Sequence, residues 1–85
     1  MDERTETRRE LENIWRERVT AAKEFYSRAR AEAEAALESC GCDATSIQIE
    51  ILRQAQSRES AALEEYMRVL RICHDFLVGG VWPSP

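Results

Sequence analysis

Proline is missing from the whole stretch between Met1 and Val78, and glycine occurs there once, at Gly41 near the midpoint. These two residues interrupt helices more reliably than any others. Their absence leaves two long segments free to run as unbroken helices, hinged at Cys40-Gly41-Cys42-Asp43. Long apolar runs are missing too: no segment approaches the roughly 20 consecutive apolar residues that a membrane-spanning helix needs. The first residues, Met1-Asp2-Glu3-Arg4-Thr5-Glu6, carry no apolar core of the signal-peptide kind, so a cytoplasmic location and no membrane contact are expected.

Catalytic signatures are lacking as well. There is no Gly-rich phosphate loop, no H-E-x-x-H and no nucleophile flanked by a histidine and an acid. The Glu-x-x-His pattern used by di-iron bundles is excluded at His74, because Arg71 stands three positions before it. Neither enzymatic activity nor a cofactor is expected. A block of one charge sign is also missing. Twelve basic residues are dispersed among sixteen acidic ones, for a net charge of −4, a balance that points away from nucleic acid. Several opposite charges stand at helical neighbour spacing: Glu12 with Arg16, Glu24 with Arg28, Glu64 with Arg68 and Arg30 with Glu34. Each such pair supports an exposed helix by roughly a few tenths of a kcal/mol, which marks these faces as solvated.

What remains is an all-α chain of 85 residues, one domain at most. The first helix is predicted over about 7–39, with Thr5 or Thr7 at its start and Glu10 completing a capping box with Thr7. Its apolar residues recur in steps of three and four, and positions 15, 22, 29 and 36, like 19, 26, 33 and 40, repeat every seven. That seam carries Trp15, Val19, Phe25 and Tyr26 in its first half and only Ala29, Ala33 and Ala36 in its second. Gly41 fits a left-handed residue closing the helix. Asp43, or Thr45 with Gln48, caps the second helix, predicted over about 44–78 and ending at Gly79-Gly80.

The second helix reads as a seam of Ile49, Leu52, Gln56, Glu59, Leu63, Tyr66, Leu70, Cys73 and Leu77, widened by a flanking row of Ala55, Ala62, Val69 and Phe76. A short turn forces an antiparallel hairpin over 1–78, with 79–85 as a tail. Folding about Gly41 sets Phe25 and Tyr26 beside Ala55, Ser57 and Ser60, and Trp15 and Leu11 near Val69, Leu70 and Cys73. Beyond Ala61 the apolar residues cover too much of the circumference for one partner helix. A homodimer is therefore expected: two hairpins with turns at opposite ends, forming an antiparallel four-helix bundle. The bulky open end of one then meets the alanine-rich end of the other. Trp15, Phe25, Tyr26, Leu63, Tyr66, Leu70, Phe76 and Leu77 are its expected interface residues.

Three cysteines without a secretory signal read as reduced thiols. Cys40 and Cys73 suit small core positions, Cys42 a loop and His74 the surface. In the antiparallel dimer, however, the Cys40/Cys42 turn of one chain approaches Cys73 and His74 of the other. These four are the candidate ligands of a metal- or redox-responsive switch. Gln56 and Glu59, polar residues at seam positions, read as register-setting groups, with Tyr26 as a hydrogen-bond partner. Val81 and Trp82 of the tail read as folding back near Phe76 and Leu77; alternatively, Trp82 docks on another protein. The function expected is thus a non-enzymatic structural or protein-interaction module acting as a homodimer. The alternatives are the cysteine switch and an RNA-binding four-helix-bundle regulator.

Overall fold

The computed structural model describes residues 3–80, with side chains from Thr7 onward. Two helices account for nearly all of them: α1 over Glu3–Ser39 and α2 over Ser46–Gly79, with no strand among the described residues. They lie side by side as an antiparallel hairpin, a rod with extents of 66 × 18 × 16 Å. Neither helix is long and apolar enough to cross a membrane.

The helix ends follow from local hydrogen bonding. α2 starts on the capping box of Thr45: its hydroxyl accepts from the Gln48 amide at 3.2 Å, and the Gln48 side chain accepts from the Thr45 amide at 2.8 Å. Two donors with no partner inside the helix are satisfied at once. Asp43, the competing cap, is taken up in the turn that the Ala44 amide closes on the Gly41 carbonyl. At the other end, Gly80 adopts the left-handed conformation (φ 70°, ψ 13°) and its amide reaches the Asp75 carbonyl.

Two expectations about ends are corrected. Gly41 does not take the left-handed conformation; among the described residues Gly80 alone has positive φ. The chain leaves α1 through a six-residue connection instead of reversing on one residue, so nothing at Gly41 needs the missing Cβ. Thr5 and Thr7 do not cap α1 either, because the helix already includes them. A threonine inside a helix costs little, and Glu3 and Arg4 are good helix formers.

Between the helices, the buried residues are Trp15, Ala29, Ala33, Ala55, Ala62, Val69, Cys73 and Phe76. Trp15, Val69 and Cys73 form the open-end cluster, with Val19, Ala22, Ile72 and Leu77 packed against it. This agrees with the pairing of Trp15 with Val69 and Cys73 read from the sequence, whereas Leu70 faces outward. Phe76 is 1% exposed, the most deeply buried large side chain, with the Arg8 guanidinium 5.6 Å from its ring centre. Midway along the rod Tyr26 stacks on Tyr66, ring centres 6.2 Å apart, further along α2 than the Ala55–Ser60 stretch expected beside it. Alanines fill the half nearer the turn. At the turn itself the Cys40 thiol donates to the Gln48 carbonyl at 3.5 Å.

The face that α2 turns inward differs from the one expected. Leu52, Ala55, Glu59, Ala62, Tyr66, Val69, Cys73 and Phe76 are buried or half-buried, whereas Ile49, Gln56, Leu63 and Leu70 are exposed. The alanine row, expected as flanking, forms the seam together with Leu52, Glu59, Tyr66 and Cys73. The expected and observed stripes share those four residues and their centres stand about 50° apart on the helix, so periodicity alone does not choose between them. Packing chooses: with Ala29 and Ala33 on α1, the backbones approach closely only if α2 also presents small side chains. Phe25, placed at the seam by the sequence reading, likewise lies outside it.

Candidate functional site

The seam divides the rod's surface into two long flanks. In an antiparallel pair, the residues just beside the seam on one helix line up with their counterparts on the other. The Glu32–Arg58 ion pair, Oε2 to Nε 4.0 Å, joins the helices across one such boundary and identifies which rows share a flank. On that flank α1 contributes Leu11, Arg18, Phe25 and Glu32. The matching row of α2 is Ile51, Arg58, Glu65 and Ile72. The opposite flank carries Arg9, Arg16, Lys23, Arg30 and Leu37 from α1, and Ile49, Gln56, Leu63, Leu70 and Leu77 from α2.

The first flank is of mixed charge and centred on an exposed aromatic ring. Phe25 is 57% exposed and stands as a ridge between two shallow grooves. One runs towards the open end past Ala21, Ala22, Trp15 and Glu65; the other runs towards the turn past Arg28, Ala29, Glu32 and Arg58. Arg18 lies over the Trp15 ring, its guanidinium carbon 4.6 Å from the centre. Glu65 accepts from the Arg68 guanidinium at 2.9 Å, Nε to Oε2. That hydrogen bond holds the Glu65 carboxyl below the ordinary glutamate range and raises Arg68 in turn.

The second flank is basic beside an apolar row. Arg30 bonds to Glu34 at 3.2 Å, which raises its pKa, while Arg9, Arg16 and Lys23 make no ion pair among the described residues. Leu63 and Leu70, at 38% and 39% exposure, are partly covered there, and Met67 lies beyond them. The charge pairing read from the sequence holds only at Arg30–Glu34. Glu12 pairs with Arg8, Arg68 turns to Glu65, and Glu24 and Arg28 do not meet. On solvated faces the i,i+3 and i,i+4 partners compete on nearly equal terms.

The expected interface residues are distributed over both flanks and the seam. Trp15 and Phe76 are buried within the hairpin, Tyr26 and Tyr66 are half-buried in their mutual stack, and Leu77 is half-buried. Phe25, Leu63 and Leu70 face outward, Phe25 on the mixed-charge flank and the two leucines on the basic one. No acidic or basic side chain is buried among the described residues. Glu59, half-buried at the seam, is the polar residue that the inter-helix packing does retain, whereas Gln56 is exposed.

Of the cysteines, Cys73 is buried against Trp15 and Val69, Cys40 is half-buried at the turn and Cys42 is exposed. His74 is exposed, its Nδ1 3.8 Å from the Asp75 carboxylate. Within one chain these residues sit at the two ends of the rod. No group of three metal-ligating side chains forms among the described residues. Trp82 and Val81 lie outside those residues. No family model, no curated protein and no solved structure matches this chain.

Proposed function

We propose that this chain is a non-enzymatic interaction module that works as a homodimer of antiparallel hairpins, a four-helix bundle with the two turns at opposite ends. The observation that carries the reading is a shortage of burial. A compact monomer of 9.8 kDa exposes about 5,200 Å² by the usual scaling with mass, whereas this rod exposes 6750 Å². The excess, about 1,500 Å², is of the size that each chain of an obligate homodimer buries. Much of it is apolar: Phe25, Ile51, Leu63, Met67 and Leu70 are among the large side chains left in solvent. Half of the eight buried residues among those described are alanines, which contribute little apolar area, so the hairpin alone has a thin core.

A scaffold or adaptor role follows from that architecture, since the charged outer faces of the bundle stay available to further proteins. Three free thiols suit a reducing, cytoplasmic setting. Sedimentation equilibrium at micromolar concentration tests the proposal. The expected mass is twice 9.8 kDa, and a compact monomer under those conditions overturns the reading.

A further inference from the structure

Resting on the homodimer reading, we infer that the two chains meet through the flank centred on Phe25 and not through the leucine flank, with the two-fold axis passing beside Phe25. Four charges of the first flank, Arg18, Glu32, Arg58 and Glu65, are arranged to match themselves, while Arg28 and Arg68 line the same grooves without such a counterpart. On α1, Arg18 stands two turns before Phe25 and Glu32 two turns after it. An axis at Phe25, perpendicular to the rod, sets Arg18 of one chain opposite Glu32 of the other, and Glu32 opposite Arg18.

The second helix repeats the relation at the same level of the rod. Arg58 and Glu65 are two turns apart, with Ile51 two turns before the one and Ile72 two turns after the other. Phe25 shares one groove with Glu65 and the other with Arg58, so Phe25 stands at a level between Arg58 and Glu65. The same axis therefore places Arg58 opposite the second chain's Glu65 and Ile51 opposite its Ile72. Two independent rows with a common centre give an isologous, charge-complementary face.

Shape agrees with charge. The grooves on either side of Phe25 are floored by Ala21, Ala22 and Ala29, which leave room for the second chain's aromatic ring. The leucine flank offers no such match. Its α1 row presents Arg9, Arg16 and Lys23, with Arg30 already paired to Glu34, and the α2 row of Ile49, Gln56, Leu63, Leu70 and Leu77 brings no carboxylate to answer them. Two copies joined there with turns opposed would set Arg16 against Arg30 and Lys23 against itself, which opposes association.

Charge exchange decides the question, read by sedimentation equilibrium, with helicity checked by circular dichroism. Arg18→Glu is expected to weaken the dimer by at least about tenfold, because it creates two like-charge contacts per dimer. Adding Glu32→Arg in the same chain is expected to restore most of the affinity. Lys23→Glu, an equal charge change on the other flank, is expected to leave the dimer intact, and so is Leu70→Ser. Should Arg18→Glu lose helicity through its contact with Trp15, Arg58→Glu takes its place and is expected to weaken the dimer likewise. A wild-type dimer that survives Arg18→Glu and Arg58→Glu but dissociates with Leu70→Ser overturns the choice of flank while leaving the dimer standing. A wild-type monomer overturns the dimer itself.

Discussion

Phe76 and Thr45 show how much a single side chain does in so thin a fold. Phe76 is the most deeply enclosed large side chain among the described residues, so its removal leaves a cavity that two helices cannot collapse around. Phe76→Ala is expected to cost about 3–5 kcal/mol. For a domain of this size that approaches the whole stability, and thermal melting followed by circular dichroism should show a broad, lowered transition. Thr45→Ala removes one half of the capping box and is expected to cost about 1 kcal/mol, seen as a smaller fall in melting temperature. Glu65 is the residue whose charge state depends most plainly on a neighbour. Its carboxyl is held low by Arg68, so the pair contributes stability above the ordinary glutamate range and loses it as pH falls through the lowered value. Both groups are exposed, and the effect on stability is slight. The direction is still measurable: in an NMR titration of side-chain carboxyl carbons, Arg68→Gln should raise the Glu65 midpoint towards the ordinary range.

At the scale of the element, the two helix-ending glycines have opposite roles. Gly80 is held at positive φ, where an L side chain is strained, although a Cβ there would meet nothing within 4 Å. Gly80→Ala is expected to destabilise the end of α2 by about 1 kcal/mol. Gly41 has neither a positive φ nor a neighbour within 4 Å of a built Cβ, so Gly41→Ala should be neutral or mildly stabilising through the unfolded chain. Paired denaturation curves distinguish these outcomes, and equal losses at both sites would contradict this account of the turn. The same scale explains the rotation of α2. The row Ile49, Leu63 and Leu70 has the stronger apolar signal, yet the weaker row of Ala55, Ala62, Val69 and Phe76 is buried, because two alanine-bearing faces bring the backbones nearest.

For the whole molecule, the rod's length separates ways of associating. Hairpins joined flank to flank keep the longest dimension near the 66 Å of one chain, whereas end-to-end contact would nearly double it. Small-angle scattering is expected to show the shorter particle, with a cross-section thickened in one direction only. The two flanks also imply a division of labour. In the proposed dimer the flank around Phe25 meets a second copy of itself, and the basic flank stays outside the bundle.

Much of the fold was legible from the residues because helix formation is a local event. The missing prolines, the lone glycine at the midpoint and the steps of three and four state two helices, and a short connection leaves them no arrangement but antiparallel. Apart from Phe25, the α1 seam was also readable, since there large and small residues share one narrow stripe. On α2 two stripes competed, and apolar strength ranked the exposed one first; the choice depends on how closely another helix approaches. Gly41 misled for a related reason: composition shows that a turn is present but not which residue bears its curvature. The candidate surface lay further out of reach. Arg18, Glu32, Arg58 and Glu65 are ordinary helix charges in sequence, and their symmetry about Phe25 exists only once the hairpin sets one helix level with the other. Periodicity along a chain can be read one residue at a time, but alignment between two helices is a property of the packed pair.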